Sequence, residues 1–213
     1  MLEHRNYTLA DQVFERLENE ILCGQYARGE ILTELKLCQA LGDSRTPVRE
    51  ALHRLQQEHI VEETGKGFKV LGITAEDLED IMEMRLRLES FAAARAAERI
   101  TEEQLKQLAD TLDLQEFYLT KRDSDHIKQM DSRFHELVYK FSGSAVIYDT
   151  LTPLHKKVQR YRQKSVENKS RAEESVQEHR AIYDAIAAHD PEKAAAAILQ
   201  HTHNAKNHIT KGQ

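Results

Sequence analysis

Four side chains of this 213-residue sequence carry chemistry that packing alone does not call for. Asp131 and His135 stand four residues apart, so both project from one side of a helix, the side that also carries Phe134 and Val138. His179 shares an apolar stripe with Val176, Ile182, Tyr183 and Ile186, and His201 shares another with Ala194, Ala197, Ile198 and Ala205. A carboxylate and imidazoles on apolar faces are costly unless paired or bound to metal. If the three helices meet, this donor set suits zinc, nickel or another borderline divalent ion. A hydrogen-bonded core histidine is the plain alternative at each position, and an acid–His pair at this spacing also supports a helix. Arg85 is a further anomaly, since it interrupts the stripe of Leu78, Ile81, Met82, Leu88 and Ala92, with Glu89 one turn on as an ion-pair partner.

A second kind of chemistry lies in residues 44–55, SRTPVREALHRL. Val48, Ala51, Leu52 and Leu55 recur at helical spacing and form a buried face. Arg45, Arg49, His53 and Gln56 make a polar stripe opposite. Guanidinium groups one turn apart can reach phosphates or base edges through planar forks of donors. Pro47 is tolerated only in a first turn, so the helix starts near residues 44–46 and presents its first residues outward, as a recognition helix would.

The elements that must hold these groups divide at about residue 72. Thr8 with Asp11 caps a helix carrying Leu9, Val13, Leu17 and Ile21, which Gly24 ends. Thr33 caps a second helix carrying Leu35, Cys38 and Leu41, which Gly42 stops before the helix at 44–55. Residues 60–63 and 68–71 flank Gly65-Lys66-Gly67 and read as a hairpin, with Lys66 at its tip placed to approach phosphate or the minor groove. This order makes a winged helix-turn-helix over residues 1–72.

Residues 73–213 read as an antiparallel bundle of six amphipathic helices, so the fold class is mainly α. Thr74 with Asp77, Thr101 with Gln104, and Ser170 with Glu173 are expected caps. Helices are expected over 125–142 and over 145–167, the latter kinked at Pro153, and Asp190-Pro191 opens the last.

No apolar run approaches the roughly 18 residues of a membrane span, and the first ten residues are polar, which together point to a cytoplasmic protein. Cys23 and Cys38 lack metal-type spacing and are expected to be buried, reduced thiols. Net charge is −6, and residues 1–72 hold nine Lys/Arg against twelve Asp/Glu. Any DNA binding must therefore rest on the placement of a few cations rather than on a general basic field.

The stretch from Glu15 to Glu63 resembles the DNA-binding domain of GntR-family transcriptional regulators. Ile21-Leu22-Cys23-Gly24, Gly29, Leu32-Thr33-Glu34 and residues 44–52 carry the match, which spans about residues 9–71. Arg28, Asp43 and His59 depart from it, standing where proline, valine and glycine are usual. The resemblance implies that Arg45, Thr46 and Arg49 contact operator DNA, and that Gly67 approaches the minor groove. Residues 74–208 look like the FCD effector domain of the FadR-type branch, and six helices resemble its shorter, VanR-like subgroup. The pattern is met by Asp131–His135, by Glu178–Ile182, and by Asp190 and Ala194 followed by His201. It implies a divalent metal held by Asp131, His135, His179 and His201, and an effector cavity faced by Arg85. Arg160, Tyr161 and Arg162 are weaker candidates for that cavity. His155, His189, His203 and His208 fall off the pattern and are read as surface residues, with His203 the main rival to His201.

The function expected is that of a sequence-specific DNA-binding regulator, a repressor, acting as a homodimer on a two-fold operator. A small carboxylate metabolite at the metal site would control it, one oxygen on the ion and the other on the Arg85 fork. The alternative is a metal-dependent enzyme using the Asp/His cluster to activate water. No separate carboxylate stands as an evident general base for it, and the recognition helix would be unexplained.

Overall fold

Thr8 opens the first helix through a reciprocal cap: its hydroxyl oxygen accepts from the Asp11 amide at 3.1 Å, and the Asp11 carboxylate accepts from the Thr8 amide at 2.9 Å. The computed structural model describes residues 7–158 and 169–211. Backbone contacts divide the chain into two compact units, Met1–Ala75 and Glu76–Gln213.

In the first unit, α1 (Leu9–Leu22) packs on α3 (Arg45–Gln57), with α2 (Glu34–Leu41) beside α3. Val13, Leu17 and Ile21 interlock with Val48, Leu52 and Leu55 in one buried cluster. Each such side chain contributes about 1.5–3 kcal/mol by leaving water. Thr33 caps α2, and Gly42 ends it in the left-handed conformation at φ 77°. That turn sets the direction of α3. Pro47 is the third residue of α3, where its missing N–H has no intrahelical acceptor to lose.

The wing is a three-stranded antiparallel sheet in the order β1-β3-β2. β2 (Val61–Thr64) and β3 (Gly67–Val70) pair Val61 with Val70 and Thr64 with Gly67. Val61, Phe68 and Val70 point inward, while Glu62 and Lys69 face solvent. The sequence reading missed β1 (Ile31–Leu32), which pairs with Lys69 and Phe68. Two residues carry no periodicity, and only the partner strand defines them. His59, at φ 56°, occupies a left-handed position, which accounts for the glycine usual there.

In the second unit the described helices are α4 (Ala75–Arg99), α5 (Glu102–Lys121), α6 (Ser124–Phe141), α7 (Ala145–Lys157), α8 (Lys169–Ala187) and α9 (Pro191–Lys211). Their common core brings Ala93, Ala96 and Ala97 of α4 against Phe134, Ile182 and Ile198. The small alanine side chains leave space that the larger ones fill. α5 packs on α6 and α8, and α8 on α9, so the helices bearing Asp131, His135, His179 and His201 adjoin.

Three local expectations change. The expected helix over 145–167 is described only as far as Lys157, with Pro153 inside it; residues 159–168, which include Arg160, Tyr161 and Arg162, lie outside the described residues. Ser170 is not a cap, since α8 already begins at Lys169. Cys23 is exposed at the end of α1, because that helix stops one residue before it and its side chain points off the apolar stripe; Cys38 is half-buried.

Candidate metal centre and nucleic-acid interface

Helices α6, α8 and α9 bring His135, His179 and His201 together. One ring nitrogen of each lies within 4.8 Å of the others, and all three rings are buried. The Nε2 atoms of His135 and His201 are 3.2 Å apart. Two imidazole ligands on one tetrahedral ion would stand about 3.3 Å apart, given metal–nitrogen bonds of about 2.0–2.1 Å. His201 donates from Nδ1 to Glu178 at 2.7 Å, and His179 donates from Nδ1 to Gln115 Oε1 at 2.9 Å. Both bonds leave Nε2 as the electron-pair donor facing the cluster, as second-shell partners do for metal-binding histidines. Phe134 stacks on the His179 ring at 4.5 Å and fixes its plane. Burial first, and then the neighbouring imidazoles, depress the affinity of His135 for a proton; burial does the same for His201, with Glu178 opposing it. Neutral imidazole is the form that ligates metal. The donor set therefore fits a borderline divalent ion.

Asp131 stands beside the trio rather than within it. Its Oδ1 is 3.7 Å from His179 Nε2 and its Oδ2 is 3.9 Å from His155 Nε2. His155 corrects the sequence reading: it is buried rather than superficial, its ring centroid is 4.6 Å from that of His135, and Tyr139 Oη lies 3.4 Å from its Nδ1. Glu89, His135 and His155 form a second close group. Leu151, one turn before His155, is fully buried, and that signal could have placed this histidine inward. His203 and His189 are exposed and His208 is half-buried, so His201 rather than His203 enters the cluster.

Arg85 is 2% exposed and donates from Nε to Glu89 at 2.8 Å. Glu89 also accepts from Thr202 at 2.5 Å and from the Tyr139 hydroxyl. Burial alone would raise the Glu89 carboxyl; the Arg85 charge, His155 and the two hydroxyl bonds outweigh it and hold the group at about 2. Arg171, which the sequence reading passed over, pairs with both oxygens of Glu178 at 2.8 and 2.7 Å. It lies eight residues before His179 on the same helix face, a spacing that could have revealed it. Arg85, Gln115, Asp131, His135, Arg171 and His201 line one cavity. Its free volume of about 40 Å³ has room for about three waters.

In the first unit, Arg45, Thr46 and Arg49 are exposed on the outward side of α3. With Glu50, His53 and Gln57 they line a shallow groove. Arg49 is held by Glu34, the first residue of α2: Nε donates to Oε1 at 2.7 Å and Nη2 to Oε2 at 2.9 Å. Lys66 is exposed at the hairpin tip. Gly67, at φ 132°, has no room for a side chain, since a Cβ there would lie 2.5 Å from the Leu32 carbonyl oxygen. Strand packing therefore supplies a reason for this glycine that is independent of DNA.

The pattern of bacterial regulatory proteins of the gntR family matches residues 9–70, and that of the FCD domain matches residues 80–204. The Bacillus subtilis HTH-type regulator YcbG is 30% identical, over 96% of this chain and 91% of that protein. The chain belongs to the GntR family. Within this family the HTH-type transcriptional repressor RspR of Escherichia coli is 28% identical, over 89% of this chain and 84% of its own length. The structure of E. coli McbR/YncC shares the fold, with a TM-score of 0.83 at 23% identity, covering 96% of this chain and 98% of that one. GntR-family membership makes this chain a DNA-binding transcriptional regulator with an FCD domain, and the enzyme alternative falls with it. FCD domains often bind metal, and the buried histidine group is able to hold an ion. No helix among the described residues is long and apolar enough to cross a membrane.

Proposed function

We propose that this GntR-family regulator is a homodimeric repressor, with residues 1–72 binding a two-fold operator and residues 73–213 binding a small carboxylate at a divalent metal. Asp131, His135, His179 and His201 would hold the ion, zinc or nickel. The observation that carries this reading is the inward Nε2 pair of His135 and His201, 3.2 Å apart, with His201 anchored through Nδ1 by Glu178. When bound, the ion supplies a Lewis-acidic position for one ligand oxygen.

Charge supports an anionic effector. With the solvent-exposed Glu174 partner of Arg171 set aside, the inward groups Arg85 and Arg171 stand against Glu89, Asp131 and Glu178, leaving one net negative charge around the cavity; a divalent ion turns this to one net positive. A singly charged carboxylate restores neutrality, and the limited volume restricts its size. Arg85 donates from Nε to Glu89 and from Nη1 to the Met82 sulfur at 3.6 Å, a weak acceptor that an effector carboxylate would replace. In the winged unit, Arg45, Thr46, Arg49, Lys66 and the Gly67 backbone would contact DNA. Effector binding then changes operator affinity through a coupling free energy between the two sites.

The test is a thermal-shift screen of metal-loaded protein against small organic acids. Selective stabilisation by one acid is expected, and Arg85→Lys, which keeps the charge against Glu89 but loses the fork, should abolish it. If no acid shifts the unfolding of protein carrying one ion per chain, the effector assignment is wrong. If the protein never selects a palindromic site from a random DNA pool, the operator assignment is wrong.

A further inference from the structure

We propose that Glu34 is a specificity-determining residue, which holds the Arg49 guanidinium so that its one remaining N–H fork reads guanine. This role rests on Arg49 contacting operator DNA. The two residues come from the two helices of the helix-turn-helix: Glu34 opens α2, and Arg49 lies in the second turn of α3. Both carboxylate oxygens are used, at 2.7 and 2.9 Å, so the pair is planar and bidentate. A long side chain that would otherwise sample many rotamers is fixed before DNA arrives, which lowers the entropy lost on binding.

The geometry decides which donors are left. A guanidinium has three edges. Glu34 takes the Nε–Nη2 edge, and the edge beside Cδ offers a single N–H, so only the Nη1–Nη2 edge presents two parallel donors. Arg49 keeps 57% of its side chain exposed and lines the outward groove of α3, and among the described residues its Nη1 makes no hydrogen bond. Two parallel donors match the O6 and N7 acceptors of guanine in the major groove; adenine presents an amino donor in place of O6 and is rejected. A phosphate could accept the same fork, yet its attraction depends chiefly on net charge. Glu34 cancels the charge of Arg49 while leaving the directional donors, so the pair favours a base over the backbone. In a segment with more acidic than basic residues, this is how a cation can serve sequence reading without serving general affinity.

The experiment uses the full chain and double-stranded DNA. A site is selected by the wild-type protein from a random pool, and binding is then measured to duplexes bearing each single base change, for wild type, Arg49→Ala, Glu34→Ala and Glu34→Gln. At the position whose preference Arg49→Ala erases, the wild type should favour guanine. Glu34→Ala should lower guanine-over-adenine discrimination there by roughly 5- to 150-fold, the worth of one bidentate base contact. Its affinity for unselected DNA should stay equal or rise, because a negative charge has left the interface. Glu34→Gln, of the same shape, should lose discrimination in the same direction, and equal unfolding midpoints would show that folding is not the cause. Full discrimination in both Glu34 variants, with tighter binding to every sequence, would overturn the proposal: Glu34 would then only repel phosphate. If Arg49→Ala erases no preference at any position, the DNA-contact reading of Arg49 fails, and this proposal with it.

Discussion

Replacing Glu89 by glutamine should destabilise the helical unit far more than an isosteric change normally does. Glutamine keeps the shape, but its single carboxamide oxygen can serve either Tyr139, which bonds Oε1, or Thr202, which bonds Oε2, so the charge facing Arg85 is lost together with one acceptor. Both side chains are essentially out of water, 0% and 2% exposed. Removing one partner of such a pair leaves the other charge buried, at a cost of about 3–5 kcal/mol. An independent route gives a similar size. The carboxyl is held at about 2 against an ordinary 4.5, and a shift of that size corresponds to about 3 kcal/mol. Because the folded-state value is depressed, this contribution is fully present above about pH 4.5 and is lost as pH falls toward 2. The assay is thermal unfolding of the full chain followed by circular dichroism. At 2–4 °C per kcal/mol for a chain of this length, the Glu89→Gln midpoint should drop by about 6–20 °C. The double variant Arg85→Met/Glu89→Gln should recover most of the loss, since no buried charge remains. A single variant that melts with the wild type, or a double variant at least as unstable as the single one, would refute the reasoning.

Three further outcomes follow. His135→Ala and His201→Ala should each lower bound metal well below one ion per chain by elemental analysis; unchanged content in both would remove them from the site. His59→Gly should raise the unfolding midpoint of the winged unit, by up to about 1 kcal/mol of stability, because glycine relieves the left-handed backbone at φ 56°. A lowered midpoint would show that the histidine side chain outweighs that strain. Lys66→Ala should reduce the slope of log affinity against log salt by about one for operator DNA, as loss of one phosphate contact does, without changing base preference. An unchanged slope would place Lys66 away from the backbone.

The elements were largely legible because their signals are local. Thr8 with Asp11, Thr33, Gly42 and Asp190-Pro191 act through hydrogen bonds and backbone preferences within a few residues, so the sequence alone located those helix ends. Periodicity likewise placed Val48, Leu52 and Leu55 inward and Arg45 and Arg49 outward. It also put Asp131, His135, His179 and His201 on apolar faces, although nothing in the spacing showed that the faces converge. β1 escaped because two residues have no period of their own. His155 escaped because it lies outside the expected donor pattern, and burial is decided by what packs against a residue.

What this sequence determined by itself was most helix ends, the winged domain, the basic outward face of α3 and the inward placement of Arg85, Asp131, His135, His179 and His201. Only the tertiary structure decided their partners. Arg85 meets Glu89 on its own helix, but whether the pair is exposed or buried changes its worth from a few tenths of a kcal/mol to several. Arg49 meets Glu34 across 15 positions, Glu178 joins Arg171 to His201, and Gln115 orients His179 from 64 residues away. Ion pairs and hydrogen bonds reach only a few ångströms, so pairings between distant residues exist only once packing has closed the chain.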